Sequence, residues 1–560
     1  MFHTVIQPLQ PQPASFSPAF AAVRSPVAQN RGFNFGNTAS DVFAPAVSEV
    51  QGVSTATALT QARQQSALLP ANSIVVLVPG LGSSTATMQY LFDDFKARGH
   101  KPYIVQVPQV LGAQRFSDAS AWLSGEIDTI RLMEAKPRLE ALHQQLTQLQ
   151  QAGQNPAALL KSYFGFDASP MGESTQALTQ QLLLNTNFVQ DISALANLPE
   201  HASLTTPWLS KLPEGMQNSA AVQSIPLIEN KLAEWMNKPP ERRLARVLEQ
   251  YRQAFIQGLN QLNPQSAQTA LKHDKIANAV FDQLVPRIAL MGHSLGGAVG
   301  YKTLQDQGQS DQHNAIFASY CLSSPVDGIL QNMPYIQTPL EALYPATGDV
   351  MANSKVMRQM RVTPTPVDTT VVSFCNPADG TVKPKSTYLN EDLSGTLNLT
   401  VSPRKAGLLN MLSDRVQRIV NAIPPVRNLA QTVASSKMFE DTSGHCGLLV
   451  NPEEVWAPGA DIDKRLLSGE DAPKHLARLL TPHNNEAVQR SVLMGLQEHL
   501  DANPAQRERF AELEPALMQL AQLDMPFEGS ASQLAAQLLV ELALPQLEQK
   551  AGQEELAPAV

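Results

Sequence analysis

The stretch that decides the fold is Ile288-Ala289-Leu290-Met291-Gly292-His293-Ser294-Leu295-Gly296-Gly297. Its apolar first half predicts a strand buried on both faces, and the Ala- and Gly-rich residues 297–304 predict a helix behind it. Between the two stands a Gly-x-Ser-x-Gly pattern. A serine on such a strained turn exposes its hydroxyl, and the glycines two residues before and after it avoid clashes with neighbouring backbone. The helix N-terminus favours developing negative charge, so Ser294 is a candidate nucleophile; a plain packing turn is the alternative.

A similar strand, turn and helix occur earlier in the chain. Residues 73–78 form a mostly β-branched run, which predicts another buried strand, and Pro79-Gly80-Leu81-Gly82 interrupts it. Residues 88–98 have the pattern of an amphipathic helix that ends at Gly99. Further strands are predicted at residues 103–107, 287–291, 315–322 and 369–374. This alternation predicts an α/β fold with a mostly parallel central sheet flanked by helices.

Composition changes along the chain suggest its organisation. Residues 1–70 are rich in Pro, Gln, Ser and Ala without periodicity, which predicts a disordered N-terminal tail. Residues 71–465 would form the α/β domain, with residues 110–275 as a large helical insertion resembling a cap or lid. Residues 466–560 are predicted to be a helical C-terminal region.

Two leucine-containing stripes fall in the insertion. One is Leu139, Leu142, Leu146 and Leu149, and Pro137 before it suits a helix start. The other is Leu248, Tyr251, Phe255, Leu259 and Leu262. Both are too short for a coiled coil and are expected to pack internally.

Charge and composition exclude several classes of protein. The 560 residues include 41 Lys plus Arg and 50 Asp plus Glu, a formal net charge of −9, which argues against nucleic acid as a partner. Three cysteines are too few for a disulfide scaffold. No apolar run is long enough to span a membrane, and the N-terminus is a poor secretory signal. We therefore expect a soluble protein, cytoplasmic by default, with export by another route left open.

The Gly292-His293-Ser294-Leu295-Gly296 turn and its flanks resemble the nucleophile elbow of the α/β-hydrolase superfamily, and within it the bacterial lipases and esterases. The resemblance covers about residues 73–108, 285–380 and 440–460. It implies an α/β-hydrolase fold and two backbone N–H donors for an oxyanion. One donor would be Leu295. The other would be Leu81, because Pro79-Gly80-Leu81 resembles the superfamily's His-Gly-x loop with Pro in place of His; a Gly-rich turn without this role is the alternative.

The resemblance also implies an acid after a later strand. Asp379 stands in Asn376-Pro377-Ala378-Asp379-Gly380, which resembles the family's strand-end stretch in which Asp precedes Gly. Asp379 would accept a hydrogen bond from the histidine and stabilise its imidazolium. An ordinary Asp-Gly turn is the alternative at this position. Asp327, after the preceding strand, is a competitor for the acid that we rank behind Asp379.

A histidine must follow the acid. His445 lies in Gly444-His445-Cys446-Gly447-Leu448, a loop with small neighbours that resembles the histidine loop of small bacterial lipases. The remaining downstream histidines lie in polar helical segments, where a solvated surface position is the ordinary explanation: they are His475, His483 and His499. His293 is interpreted as a packing residue of the elbow. The order Ser294, Asp379, His445 is the order of this superfamily.

The sequence therefore predicts a serine hydrolase that cleaves carboxylic esters, with lipophilic acyl esters or lipids as substrates, through a Ser-His-Asp triad and an acyl-enzyme. No metal or organic cofactor is expected, and transient contact with a lipid surface is compatible with this prediction. An acyltransferase or thioesterase with the same triad is the alternative, and a non-catalytic scaffold with a hydrolase core is a third hypothesis. Cys375 precedes Asp379, and Cys446 follows His445. We expect both to be buried thiols, with a disulfide between them as the alternative. Oligomeric state stays open.

Overall fold

Six parallel strands form the centre of the part of the chain that the structure describes. In chain order they are β1 (Ile74–Val78), β2 (Lys101–Ile104), β3 (Ile288–His293), β4 (Ile316–Leu322), β5 (Thr370–Cys375) and β6 (Thr396–Thr400). The computed structural model describes residues 69–70, 72–80, 85–107, 115–152, 177, 244–262, 266–309, 313–329, 348–377, 379, 382–400, 466–467, 469–527 and 529–555. Helices flank the sheet, so the predicted α/β fold is confirmed.

The strand order of the sheet changes direction at β1. Neighbouring strands lie in the order β2-β1-β3-β4-β5-β6. The chain first adds β2 on one side of β1, and β3 then pairs with the other side, where Val78 lies opposite Gly292. In open parallel sheets, ligands bind beyond the carboxyl ends of the strands at such a switch point. Ser294 follows β3 at this place.

The helices of the described part of the chain lie on both faces of the sheet. They are α1 (Gln89–Ala97), α2 (Phe116–Gln151), α3 (Leu244–Leu262), α4 (Ala267–Leu284), α5 (Leu295–Gln309), α6 (Lys355–Val362), α7 (Pro384–Thr387), α8 (Ala472–Leu479), α9 (Glu486–Ala502), α10 (Arg507–Phe510), α11 (Glu514–Ala521) and α12 (Ala531–Glu555). A polar side chain accepts a backbone N–H at the start of three of them: Ser266 for α4, Ser354 for α6 and Asn485 for α9. Such caps satisfy N–H groups that have no partner within the helix.

The expectation that Pro137 begins a helix is wrong. α2 begins at Phe116, and Pro137 lies inside it. The N-terminal half of α2 buries Phe116, Leu123 and Ile127 in the apolar core. Because each such side chain contributes about 1.5–3 kcal/mol on burial, the contacts outweigh the ~3 kcal/mol cost of an interior proline.

The second stripe packs internally as expected. Leu248, Phe255 and Leu259 of α3 are buried in the core, whereas Leu262 at the end of the helix is half-exposed. Most of the predicted insertion between α2 and α3, and the whole predicted N-terminal tail before residue 69, lie outside the described residues.

Apolar side chains cover both faces of the sheet. In β1, Val75 and Leu77 join one cluster, and Ile74, Val76 and Val78 join the other. This is the alternation of a strand buried on both sides. The first cluster also contains the apolar residues of the C-terminal helices: Leu479, Leu493, Leu496, Leu517, Leu520 and Leu538. The C-terminal helices therefore share a continuous apolar core with the sheet.

A network of buried charges lies at the amino ends of the strands. Asp368, two residues before β5, has a left-handed backbone conformation with φ 60°. Its carboxylate lies 2.6 Å from Nη2 of Arg287 and 3.3 Å from Nζ of Lys275. Lys275 also donates to the Asn484 carbonyl oxygen at 2.6 Å. The network thus ties α4, β3 and β5 to the start of α9, at the end of the sheet opposite Ser294.

Candidate functional site

Ser294 occupies a tight turn between β3 and α5. Its φ of 53° lies in the left-handed region, which a residue with a side chain seldom adopts. Its N–H donates to the Leu322 carbonyl oxygen at 2.9 Å, and its own carbonyl accepts the Gly297 N–H at 3.1 Å. Ser294 is partly exposed, whereas His293 and Leu295 beside it are buried. The turn therefore leaves Ser294 accessible to solvent and buries the residues on either side of it.

Glycines around Ser294 are required by close backbone contacts. A Cβ on Gly292 would lie 2.3 Å from the Gly297 Cα, and a Cβ on Gly296 would lie 2.4 Å from the Pro79 carbonyl oxygen. Real Cβ atoms essentially never approach other atoms so closely. Glycine is therefore required two residues before and after the serine, as the sequence pattern indicates.

The loop after β1 passes directly beside Ser294. A Cβ on Gly80 would lie 2.8 Å from the Ser294 Cβ and 3.4 Å from the His293 Nδ1. Gly80 therefore lets the loop backbone approach the serine. The predicted donor in this loop, Leu81, lies outside the described residues.

Leu295 is the first residue of α5. The N–H groups of the first helical turn have no partner within the helix, and they point toward the N-terminus. The helix dipole places partial positive charge at the same position. The Leu295 N–H is therefore suited to hold negative charge that develops beside Ser294.

Asp379 lies just beyond the carboxyl end of β5 and is buried. Its N–H donates to the Asn376 carbonyl oxygen at 3.1 Å, and its Oδ1 accepts the Val382 N–H at 2.8 Å. These contacts fix the carboxylate at the same edge of the sheet as Ser294. β4 separates β5 from β3, so the two strand ends lie about 10 Å apart. Asp379 and Ser294 therefore follow strands that are not adjacent in the sheet.

Asp327 is engaged elsewhere. Its carboxylate pairs with the Arg361 Nε, and the Arg361 Nη2 donates to the Asp327 carbonyl oxygen at 2.6 Å. Its side chain is partly exposed to solvent. The ion pair with Arg361 thus occupies the Asp327 carboxylate, and the ranking of Asp379 before Asp327 stays a prediction.

His445 lies outside the described residues, as does Cys446. The other downstream histidines are described and are partly buried rather than fully solvated. His483 lies near the amino end of β5, where its carbonyl accepts the Asp368 N–H at 2.9 Å. His499 contacts Gln506 at 3.1 Å and packs edge-on against Phe510. His483 therefore lies at the end of the sheet opposite Ser294.

Two cysteines near this edge are buried free thiols, Cys321 and Cys375. Burial raises the pKa of Cys321 to about 12. Its thiol lies 3.7 Å from the Gly297 carbonyl oxygen. A thiol that stays protonated is a packing group and not a nucleophile.

Ser324 is a contact residue that the sequence analysis did not identify. Its Oγ lies 3.2 Å from the carbonyl oxygen of Gly292, inside the turn that carries Ser294. The visible sequence feature is a Ser-Ser-Pro stretch directly after a predicted strand, which is too common to suggest such a role.

Within the described ranges, no group of three or more His, Cys, Asp or Glu side chains is placed to hold a metal ion. Among the helices that the structure describes, none is both long and apolar enough to cross a membrane. Comparison with protein-family models, with curated proteins and with solved structures found no significant match.

Proposed function

We propose that the protein is a serine hydrolase with an α/β-hydrolase fold, and that Ser294 is its nucleophile. The observation that carries this proposal is the φ of 53° at Ser294, on a strand-to-helix turn at the switch point of a parallel sheet. Strained backbone of this kind costs about 1–3 kcal/mol and persists where the surrounding structure enforces it, most often at functional sites. At Ser294, three glycines allow the close backbone contacts that hold this conformation: Gly80, Gly292 and Gly296.

The proposed mechanism assigns one role to each group. His445 takes the proton from the Ser294 hydroxyl as Oγ attacks the acyl carbonyl, and Asp379 orients the imidazole and stabilises its charged form. The N–H groups of Leu295 and Leu81 hold the oxyanion. Collapse of the tetrahedral intermediate releases the alcohol, and water activated by His445 then cleaves the acyl-enzyme.

The spacing of the strand ends supports a triad. The separation of about 10 Å between the ends of β3 and β5 leaves room for one imidazole ring and its two hydrogen bonds. Asp379 is fixed by its turn on one side of that space, and Ser294 by its turn on the other. His445 is the histidine that the sequence pattern assigns to the gap.

We further propose a carboxylic ester with an apolar acyl group as substrate. The described residues beside Ser294 include glycines, leucines and a buried histidine, without a charged side chain to recognise an ionic substrate: Gly80, His293, Leu295, Gly297 and Leu322. A neutral, largely apolar acyl chain fits this chemistry, because burying it needs no compensating charge.

Labelling with a fluorophosphonate probe tests the nucleophile. Stoichiometric labelling of the wild-type chain, abolished by Ser294→Ala and slowed at least 100-fold by His445→Ala, is expected. Ser323→Ala is the matched control, because Ser323 follows the neighbouring strand, also has a positive φ (44°) and is fully buried. It should label like wild type. Wild-type protein that stays unlabelled with and without detergent would contradict the proposal.

A panel of p-nitrophenyl esters tests the substrate class. Activity that rises from acetate to longer acyl chains, in wild type but not in Ser294→Ala, is expected if the acyl pocket is apolar. Supplying an alcohol or a thiol acceptor in the same assay separates hydrolysis from acyl transfer. A preference for charged or acetyl esters would refute the proposed substrate while leaving the nucleophile intact.

A further inference from the structure

We propose that Ser324 is a positioning residue that fixes the turn carrying Ser294. This inference rests on the proposed function, because it concerns how the nucleophile is held. Ser324 is the second residue after β4 and is fully buried. Its Oγ lies 3.2 Å from the Gly292 carbonyl oxygen and 3.1 Å from the Leu322 carbonyl oxygen. A hydroxyl has a single hydrogen, so it donates to one of these oxygens at a time or shares the hydrogen between them.

The carbonyl groups of Gly292 and Leu322 both help to hold the backbone of Ser294. Gly292 precedes Ser294 by two residues and lies near the end of β3. The Leu322 carbonyl accepts the N–H of Ser294 itself at 2.9 Å. The Ser324 hydroxyl thus joins the strand before the nucleophile to the group that holds the nucleophile's own amide.

A third contact reaches the helix behind the turn. A Cβ on Gly297 would lie 1.9 Å from the Ser324 Oγ and 2.8 Å from its Cβ. The Ser324 side chain therefore fills the space that a side chain in the first turn of α5 would need. Glycine at position 297 and serine at position 324 therefore fit together, because a side chain at position 297 would collide with the Ser324 hydroxyl.

The backbone of Ser324 is itself restrained. Pro325 follows it and disfavours the helical region for the preceding residue. The Ser324 carbonyl accepts the Val326 N–H at 2.8 Å. The hydroxyl is therefore held in place before any substrate binds, as a group that defines the geometry of a neighbouring turn must be.

Ser294 needs such a support because its φ of 53° is unfavourable for a residue with a side chain. Without the hydroxyl, the turn would relax and displace both the Ser294 Oγ and the Leu295 N–H. A misplacement of about 1 Å costs on the order of 100-fold in rate, so even a smaller shift is measurable.

The test compares Ser324→Ala with Ser120→Ala in the full-length chain. Ser120 is also a buried serine, and its Oγ donates to the Asp306 carboxylate at 2.7 Å near the far end of α5. The rate constant for fluorophosphonate labelling should fall about tenfold or more in Ser324→Ala. It should stay within about twofold of wild type in Ser120→Ala, although both variants lose a hydrogen bond of a buried serine and unfold at lower temperature. With a p-nitrophenyl ester, Ser324→Ala should lower kcat and leave KM nearly unchanged.

The outcomes separate this proposal from the proposed function. A labelled wild type together with an equally fast Ser324→Ala overturns the role of Ser324 and leaves the hydrolase standing. An unlabelled wild type overturns both. Should Ser324→Ala not fold, Ser324→Cys replaces it, because a thiol is a weaker donor than a hydroxyl. A folded cysteine variant that labels at the wild-type rate overturns the proposal, and one that labels more slowly supports it.

Discussion

Gly296 lies against the backbone of Pro79, although 216 intervening residues separate the two along the chain. A Cβ on Gly296 would lie 2.4 Å from the Pro79 carbonyl oxygen and 2.5 Å from that of Val78. The first turn of α5 and the end of β1 therefore touch through backbone atoms alone. This contact brings the loop after β1 to the proposed nucleophile, and it leaves no flexible side chain to absorb a larger residue.

Gly296→Ala should therefore abolish the site without unfolding the core. We expect fluorophosphonate labelling at least 100-fold slower, because the β1 loop or the Ser294 turn must move by about 1 Å to admit the methyl group. Gly300→Ala is the control, since its Cβ would meet the far end of the Leu290 side chain at 2.7 Å. This variant should label within about threefold of wild type and gain some helix propensity. Equal labelling of the two variants would show that the contact does not matter to the site.

Asp368→Ala should be among the most destabilising single changes in the described core. It leaves the cations of Lys275 and Arg287 buried without their shared carboxylate. Breaking a buried pair in this way costs about 3–5 kcal/mol. Urea unfolding of Asp368→Ala and of Lys474→Ala measures this, because Lys474 belongs to an exposed ion pair with Asp471. The Lys474 variant should change the free energy of unfolding by less than about 1 kcal/mol.

Acid should weaken the same network. Burial alone would raise the pKa of Asp368, but Arg287 and Lys275 outweigh it and hold the pKa below its ordinary value. The unfolded chain therefore binds this proton at a higher pH than the folded one. The stabilisation is present above the unfolded pKa near 4 and is lost as the pH falls through the lower folded pKa. The free energy of unfolding measured from pH 5 down to pH 3 should fall more steeply in wild type than in Asp368→Asn.

The long-range contacts explain what the sequence could and could not reveal. β1, β3, β4 and β5 were predictable because their apolar runs are buried on both faces. β6 was not predicted from the sequence because it is a five-residue edge strand with Asn398 at its centre. The turn at Ser294 was predictable because its sequence signal, glycine at positions 292 and 296, lies within two residues of the serine.

The roles of Asp368 and Ser324 were not predictable, because each depends on partners that only the folded sheet brings near. Asp368 meets Lys275 and Arg287 from earlier elements, and Ser324 meets Gly292 across the β3–β4 boundary. A serine or an aspartate at the end of a strand has the same sequence signal whether or not the fold brings such partners into contact with it. Leu81 and His445 remain predictions, since both lie outside the described residues.

His100 should make stability depend on pH in a second range. Burial, with a smaller contribution from Arg98, lowers the pKa of His100 to about 4. An unfolded histidine takes up its proton near pH 6.5, whereas the folded protein resists protonation until about pH 4, so stability is lost as the pH falls between these values. From pH 7 to pH 5 this loss is on the order of 2 kcal/mol. Urea unfolding of His100→Gln should show a smaller loss over the same range, and an equal loss would refute the assignment.

Substitution of the two candidate acids should separate them sharply. Asp379→Asn keeps the shape of the side chain and its turn but removes the charge that would stabilise an imidazolium, so kcat for ester hydrolysis should fall about 10³–10⁴-fold. Asp327→Asn removes a charge of the same kind from the loop after the neighbouring strand, where it pairs with the partly exposed Arg361. It should leave kcat within about threefold and cost less than about 1 kcal/mol of stability, as surface ion pairs do. Because both changes are isosteric and both residues lie at the carboxyl edge of the sheet, a general weakening of that edge would affect the two variants alike. A large loss of kcat in Asp327→Asn with a normal Asp379→Asn would move the acid to the end of β4 and require the histidine to approach Ser294 from that side.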